Sequence, residues 1–262
     1  MGFSAASFEH DIVAALFRPF AEDLVRRAEM HSGERVLDVA CGSSIVGRIA
    51  AAGRGAAVYG LDLDSNRLQV GLTAARHEGV TLSLCRASAE QLPYPDRAFD
   101  VVLCQFGLML FGDAPAALQE MRRILTPGGR LLLSVWDTID RHPFDKLIHA
   151  TSLRRLGVSG LQDVFSLGDS SDLLRLLESA GYSDIRIASH SLTAHFADPS
   201  AYLDWELDAD PDASPVLRHL DAAARRAEFA AARAELQLPM QSYIKDGRLV
   251  LDFHAHIALA RA

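Results

Sequence analysis

The 262-residue sequence holds three cysteines, Cys41, Cys85 and Cys104, too few and too odd in number for a disulfide framework. All three lie within or beside apolar runs, which suits buried thiols in a reducing compartment. No cysteine or histidine pair has the spacing of zinc ligands, so no metal site is expected. Nor does any apolar stretch approach the ~18 residues of a membrane-spanning helix. Residues 1–30 carry Glu9, Asp11, Arg18, Glu22 and Asp23, and so lack the uninterrupted apolar segment of a secretory signal. Positive charge is outnumbered, 26 Lys and Arg against 34 Asp and Glu, and the formal net charge is −8. That balance repels nucleic acid and anionic membranes at long range, and Arg122–Arg123 and Arg225–Arg226 are too short to build a basic patch. These absences point to a cytoplasmic protein whose partner is a small molecule, with neither nucleic acid nor membrane as target and a homodimer left open.

Alternation is what the chain does have. Phe8, Ile12, Ala15, Leu16, Phe20, Leu24 and Ala28 recur at helical spacing over residues 7–30. A short apolar run, residues 35–40, then reads as a buried parallel strand. Helices are expected at 44–53, 65–77 and 113–125, and strands at 56–61, 80–84, 99–104 and 130–136. Such alternation builds a mostly parallel sheet with helices on both faces. Past residue 140 come helices near 143–155 and 170–180, a strand at 182–190, a largely helical Ala-rich stretch at 199–236 and a last strand at 249–259. We therefore expect a single domain: an N-terminal helical segment over 1–33, a ligand-binding core over 34–138, and the remaining strands over 139–262 with an inserted helical cap around 198–238.

The first strand runs straight into Asp38-Val39-Ala40-Cys41-Gly42-Ser43-Ser44, a small-residue turn opening a helix. A missing side chain at Gly42 admits a ligand to the backbone, and the helix start offers unpaired N–H groups. A nicotinamide dinucleotide would want three glycines here for its pyrophosphate, whereas Ala40 and Ser44 occupy two of those places. Asp38 is awkward beside a pyrophosphate but suits a cationic amino-acid moiety. At the next strand end, Asp62 or Asp64 is placed to accept both hydroxyls of a ribose, although an aspartate there also suits a helix N-cap.

Taken in order, these segments resemble the class I S-adenosylmethionine-dependent methyltransferases, in the ubiquinone/menaquinone methyltransferase-like (methyltransferase type 11) group. Val36–Gly42 matches the first motif, Gly60–Leu63 the second-strand acid and Ala89–Asp96 the loop bordering adenine. Phe99–Val102 and Arg122–Leu131 complete the series. The resemblance implies an α/β, Rossmann-like, seven-stranded and mostly parallel sheet with an antiparallel last strand. It also implies S-adenosyl-L-methionine as cofactor and S-adenosyl-L-homocysteine as product. Residue by residue, Asp38 would orient the methionine amino group while Ala40 and Gly42 approach it with backbone. Asp62 would take the ribose hydroxyls, Leu63 would pack on adenine, and Ala89 would offer its N–H to the ring. Gln105 would border the transferred methyl. Two departures stand out: Ser44 replaces a glycine common in relatives, and Ser88 replaces an aspartate that would accept from the adenine amino group.

Methyl transfer from a sulfonium needs in-line positioning, and a base only where the acceptor must lose a proton. Asp137, Asp140 and His142 sit past the fifth strand, and of these His142 is the candidate catalytic base because imidazole as a class suits proton abstraction near neutrality. Phe106 and Trp136 at the strand tips, with Trp205 in the cap, are candidate walls of an apolar acceptor pocket. The function expected is methylation of an oxygen, nitrogen or carbon of a small metabolite, in secondary metabolism for instance. The alternative keeps the fold without methyl transfer and uses its pocket for cyclisation, rearrangement or ligand binding; Ser44 and Ser88 are the residues that favour it.

Overall fold

The computed structural model describes residues 4–53, 55–161, 163–208 and 214–262. In chain order its elements are α1 (Ala5–Ser7), a π-helical stretch (Phe8–Phe17), α2 (Arg18–Arg27), β1 (Arg35–Val39), α3 (Ile45–Ala52), β2 (Ala57–Asp62), α4 (Ser65–Glu78), β3 (Ser83–Arg86) and β4 (Phe99–Gln105). There follow α5 (Ala114–Ile124), β5 (Leu125–Trp136), α6 (Pro143–Leu156), α7 (Ser170–Ser179), β6 (Ser183–Phe196), α8 (Pro199–Glu206), α9 (Ala222–Met240), β7 (Ile244–Lys245) and β8 (Arg248–Arg261). The chain divides into two compact units.

One unit comprises Phe17–Asp137, Leu167–His190 and Ala255–Ala262. It holds β1 to β5, the part of β6 up to His190 and the part of β8 from Ala255, in the order β3-β2-β1-β4-β5-β8-β6, parallel from β3 to β5, with β8 antiparallel to β5. This is the mostly parallel, Rossmann-like sheet the alternation predicts. β1 and β4 are buried on both faces, which explains why they read as continuous apolar runs without a period-two pattern. The strand expected at 80–84 starts later, at Ser83. Gly79 takes a left-handed conformation (φ 70°) and the Val80 N–H closes back on the Ala75 carbonyl (3.0 Å), so the helix end consumes those residues.

The other unit comprises the described residues of Met1–Leu16, Thr138–Ser166 and Ser191–His254. The helices expected over 199–236 are α8 and α9; residues 209–213 between them lie outside the described residues. α9 packs on α6, where Arg154 and Arg155 both bind the Glu235 carboxylate. A tight hairpin precedes the last strand, in which β7 pairs with β8. Asp246 and Gly247 both have positive φ (50° and 75°), the geometry two-residue hairpins favour. Among the described residues there are thus eight strands, one more than expected, because this two-residue strand carries no pattern of its own. Over Phe8–Phe17 the apolar spacing predicts the burial of Phe8, Ile12 and Leu16 but not that of Val13, Ala15 is only half-buried, and the winding is π rather than α.

Asp145, Tyr202 and Glu206 form a buried polar group in this second unit. The Tyr202 hydroxyl donates to Asp145 Oδ1 (2.6 Å). Burial pushes the Asp145 carboxyl up to about 7, and burial together with the neighbouring Asp145 carries Glu206 well above the usual carboxylate range. A raised carboxyl favours folding while it stays protonated, so this contribution is lost as pH rises through about 7. Thermal midpoints measured between pH 5 and pH 9 are expected to fall with rising pH, and Asp145→Asn to flatten that slope. Among the described residues no helix is long and apolar enough to cross a membrane.

Candidate functional site

At the end of β1 the chain turns through Ala40, Gly42 and Ser44, all left-handed (φ 54°, 55° and 56°). Two of the three carry a Cβ, and such conformations persist only where surrounding contacts over-determine them. The contacts are present. Cys41 N–H donates to the Leu61 carbonyl (2.9 Å), Ser44 N–H to the Cys41 carbonyl (2.6 Å) and Gly42 N–H to Asp62 Oδ2 (2.7 Å). α4 approaches so closely that a Cβ on Gly71 would lie 2.7 Å from the Ser43 carbonyl oxygen. From the other side, a Cβ on Gly107 would lie 2.7 Å from the Ala40 side chain. Above Gly42 itself a Cβ would meet nothing within 4 Å, so open space stands over the turn where a ligand must come.

Two carboxylates flank that space. Asp62 accepts with both oxygens, from Gly42 N–H and from Asp64 N–H (2.9 Å). Asp64 instead caps α4, taking the N–H groups of Asn66 and Arg67. The structure thereby separates the two aspartates that spacing alone left open. Leu63, between them, is 63% exposed, an apolar side chain left uncovered beside the carboxylate.

Asp38 is fully buried, and its Oδ2 accepts from Gly47 N–H (2.9 Å) and from the Ser44 hydroxyl (3.3 Å). Burial pushes its carboxyl up to about 7, against the lowering pull of those two neutral donors. A Cβ on Gly47 would stand 2.4 Å from Ser44 Oγ and 3.2 Å from Asp38 Oδ2, so only glycine leaves room for this arrangement. The Ser44 hydroxyl therefore points into the protein rather than across the turn.

The loop beyond β3 is held from α5. Arg123 donates to the carbonyls of Leu92 and Tyr94 and to Asp96, while Glu120 accepts from Leu92 N–H. Within it Ala89 is buried. Ser88 donates to Glu90 Oε2 (2.9 Å) and accepts from Glu90 N–H (3.2 Å). Glu90 also accepts from Asp113 N–H (3.0 Å), and these hydrogen bonds hold its carboxyl below the usual range. An acid thus stands two residues past the serine that replaced one. Sequence reasoning missed Glu90 because its partner, Asp113, is distant in the chain.

Gln105, at the end of β4, donates its amide to the Phe17 carbonyl (3.0 Å), while its Oε1 is buried without a partner. The next residue, Phe106, stacks on Trp136 (centroids 3.7 Å apart, planes at 10°), and Phe20 of α2 meets both edge-on. Both rings are buried in this packing. Trp205 belongs to the other unit, against Phe8 and Tyr202. The three aromatics expected as one acceptor wall are therefore not brought together within either unit.

His142 needs correction as a candidate base. It is 2% exposed; Nδ1 lies 3.1 Å from the Thr138 carbonyl, and Nε2 accepts from His254 N–H (3.0 Å). A neutral ring donating through one nitrogen and accepting through the other has no lone pair to offer a substrate. Its role is to join the start of α6 to β8. Replacing it with alanine is expected to cost about 1–3 kcal/mol of stability through the orphaned backbone groups. S-adenosylmethionine affinity should stay within about twofold of wild type (RT ln 2 is well under 1 kcal/mol); denaturant unfolding and calorimetry check the pair. The same unit contains a cavity of about 520 Å³ whose lining includes His142, Arg141, Lys245 and Asp252.

Comparison with known proteins shows the family and the fold. A family profile described as a methyltransferase domain matches residues 37–133, which lie wholly within the first unit. The chain is 40% identical over 111 residues to a demethylmenaquinone methyltransferase of Geobacillus kaustophilus, covering 41% of this chain and 47% of that protein. It is 33% identical over 165 residues to the ubiquinone/menaquinone biosynthesis C-methyltransferase UbiE of Neisseria meningitidis, covering 60% of this chain and 67% of the relative. The matches thus span about half to two thirds of these relatives' lengths. Among solved structures, the YcgJ protein of Bacillus subtilis superposes with a TM-score of 0.63 at 17% identity, covering 92% of this chain and 97% of that one. The cyclase SpnF superposes with a TM-score of 0.56 at 21% identity, covering 93% of this chain and 80% of that one. At such identities the likeness is one of fold.

Proposed function

The chain belongs to the class I S-adenosylmethionine-dependent methyltransferases of the ubiquinone/menaquinone group, and on that premise we propose that it transfers a methyl group from S-adenosylmethionine to a ring carbon of a small, hydroxylated cyclic acceptor in the cytoplasm. The observation that carries the cofactor assignment is the Asp62 carboxylate meeting the Gly42 N–H across two strand tips, beside open space and an uncovered Leu63. When bound, the cofactor supplies a methyl group on a positively charged sulfur. Asp62 would accept from the two ribose hydroxyls, Leu63 would cover one face of the adenine, and the Ala89 backbone would edge it. Asp38 would hold the methionine ammonium, and the backbone of Ala40 and Gly42 would approach it. Gln105 would stand beside the reacting methyl. The contribution of these residues is positioning, which suits a displacement that needs alignment above all. The accepting ring carbon exchanges its C–H bond for the new bond to methyl, and that proton leaves to solvent.

Carbon as the accepting atom is supported by the names of the relatives, one of them a C-methyltransferase and another acting on demethylmenaquinone. The non-transferring alternative loses its support, since Ser44 points into the protein onto Asp38 and Ser88 is paired with Glu90. To test the proposal, the protein is incubated with S-adenosylmethionine and a panel of reduced benzo- and naphthoquinones. S-adenosylhomocysteine and a ring-methylated product should form in equal amounts. Tight cofactor binding with no product from any ring, but product from amines or simple alcohols, would move the acceptor to another class.

A further inference from the structure

The Asp38 carboxyl has an environment unusual for a group meant to meet a cation. It is walled in by β1, the turn and the start of α3, and its hydrogen-bond donors are the Gly47 N–H and the Ser44 hydroxyl, both neutral. Its ionisable neighbours are the Cys41 thiol in the turn, the Cys104 thiol on β4 and the Asp62 carboxylate on β2. Burial pushes both thiols up, Cys104 to about 12, so they stay neutral, and Asp62 is of like charge. The attraction that would keep Asp38 ionised in the empty site is therefore confined to two hydrogen bonds.

One of those bonds is built in at a cost. Ser44 has a left-handed backbone (φ 56°), a conformation that favours glycine, and Gly47 must lack a side chain for the serine hydroxyl to fit. Two special positions thus serve a single contact onto one carboxyl.

We propose that Ser44 is a positioning residue that makes loading of the methionine end proton-gated: its hydroxyl holds the Asp38 carboxyl in place, and a ligand bearing an ammonium group docks fully only once Asp38 has lost its proton. The inference rests on the cofactor reading above. Below neutrality the folded site holds the proton on Asp38, and binding must expel it. Above neutrality the carboxylate is ready, and the ligand's own amino group then limits binding as it loses its proton near the ~7.7–8.0 of an α-amine.

The test is calorimetric titration from pH 5.5 to 9 with S-adenosylmethionine and, in parallel, with 5′-methylthioadenosine, which lacks the amino-acid end. S-adenosylmethionine affinity should rise about tenfold per pH unit below a midpoint near 7, since one proton is expelled. Titration at pH 6 in buffers of different ionisation enthalpy should show close to one proton released. Methylthioadenosine affinity should be flat over the same range. Ser44→Ala should move the rising limb up by about one pH unit, because the ionised form loses a hydrogen bond, and leave the falling limb in place. Ser44→Gly, which also relieves the backbone, should shift it the same way, so a folding defect in one variant does not decide the matter. PH-flat S-adenosylmethionine binding, or an unmoved rising limb in both variants, overturns the inference while leaving the cofactor reading intact. Failure of S-adenosylmethionine to bind at any pH overturns both.

Discussion

Asp62→Ala is expected to weaken S-adenosylmethionine binding by about 100-fold or more. Two hydroxyl hydrogen bonds to a charged acceptor are worth about 1.5 kcal/mol or more apiece, and together about 3 kcal/mol is a factor of about 100 in affinity. The loss has a second source, because Asp62 also ties down the turn through the Gly42 N–H and the start of the next loop through the Asp64 N–H. Alanine leaves both groups without their acceptor. Asp62→Asn keeps the shape and one acceptor oxygen, so its loss should be about tenfold, one hydrogen bond's worth. Asp64→Ala, which removes a helix cap and an exposed ion pair with Arg67, should cost about 1 kcal/mol of stability and leave affinity nearly unchanged. Equal losses in the Asp62 and Asp64 variants would show that neither carboxylate meets the ribose.

Trp136→Ala is expected to be the most destabilising single change in the first unit, at about 3–5 kcal/mol. The ring is buried, stacks on Phe106 at 3.7 Å and receives Phe20 edge-on at 5.3 Å, so truncation opens a void among aromatic neighbours that cannot collapse onto alanine. Phe20→Ala should act in the same direction through the same cluster. Trp136→Phe preserves much of the stack and should cost less than half as much. Denaturant midpoints read these values directly. A Trp136→Ala protein of wild-type stability, altered only in its Michaelis constant for an acceptor, would return this ring to the role of pocket wall.

How far the sequence reaches can be followed through particular residues. β1, β2, β4 and β5 were legible because strands buried on both faces must be apolar throughout, and helical spacing marked the intervening elements. The small-residue turn at Gly42 and the acid at the tip of β2 were legible from residue type and separation, and the structure joins them through the Gly42 N–H to Asp62 contact; their part in ligand binding is what we propose. Three features were not. The inward rotation of the Ser44 hydroxyl depends on the bare Cα of Gly47, three residues on, and on the depth of Asp38. The commitment of both His142 nitrogens depends on the His254 N–H, 112 residues away in the chain. Phe106 and Trp136 lie at strand tips, where sequence alone does not separate a pocket wall from a residue covered by α2. The first is settled by packing within one turn, the other two by contacts made over long chain separation.

The central claim is that Asp38, the Ala40–Ser44 turn and Asp62 form one cofactor site, and calorimetric titration of the wild-type protein with S-adenosylmethionine at pH 7.5 tests it most directly. Stoichiometric binding with a dissociation constant in the micromolar range, lost in Asp62→Ala and competed by S-adenosylhomocysteine, is the predicted result. Heat of binding absent from the wild type, or persisting undiminished in Asp62→Ala, would contradict the account.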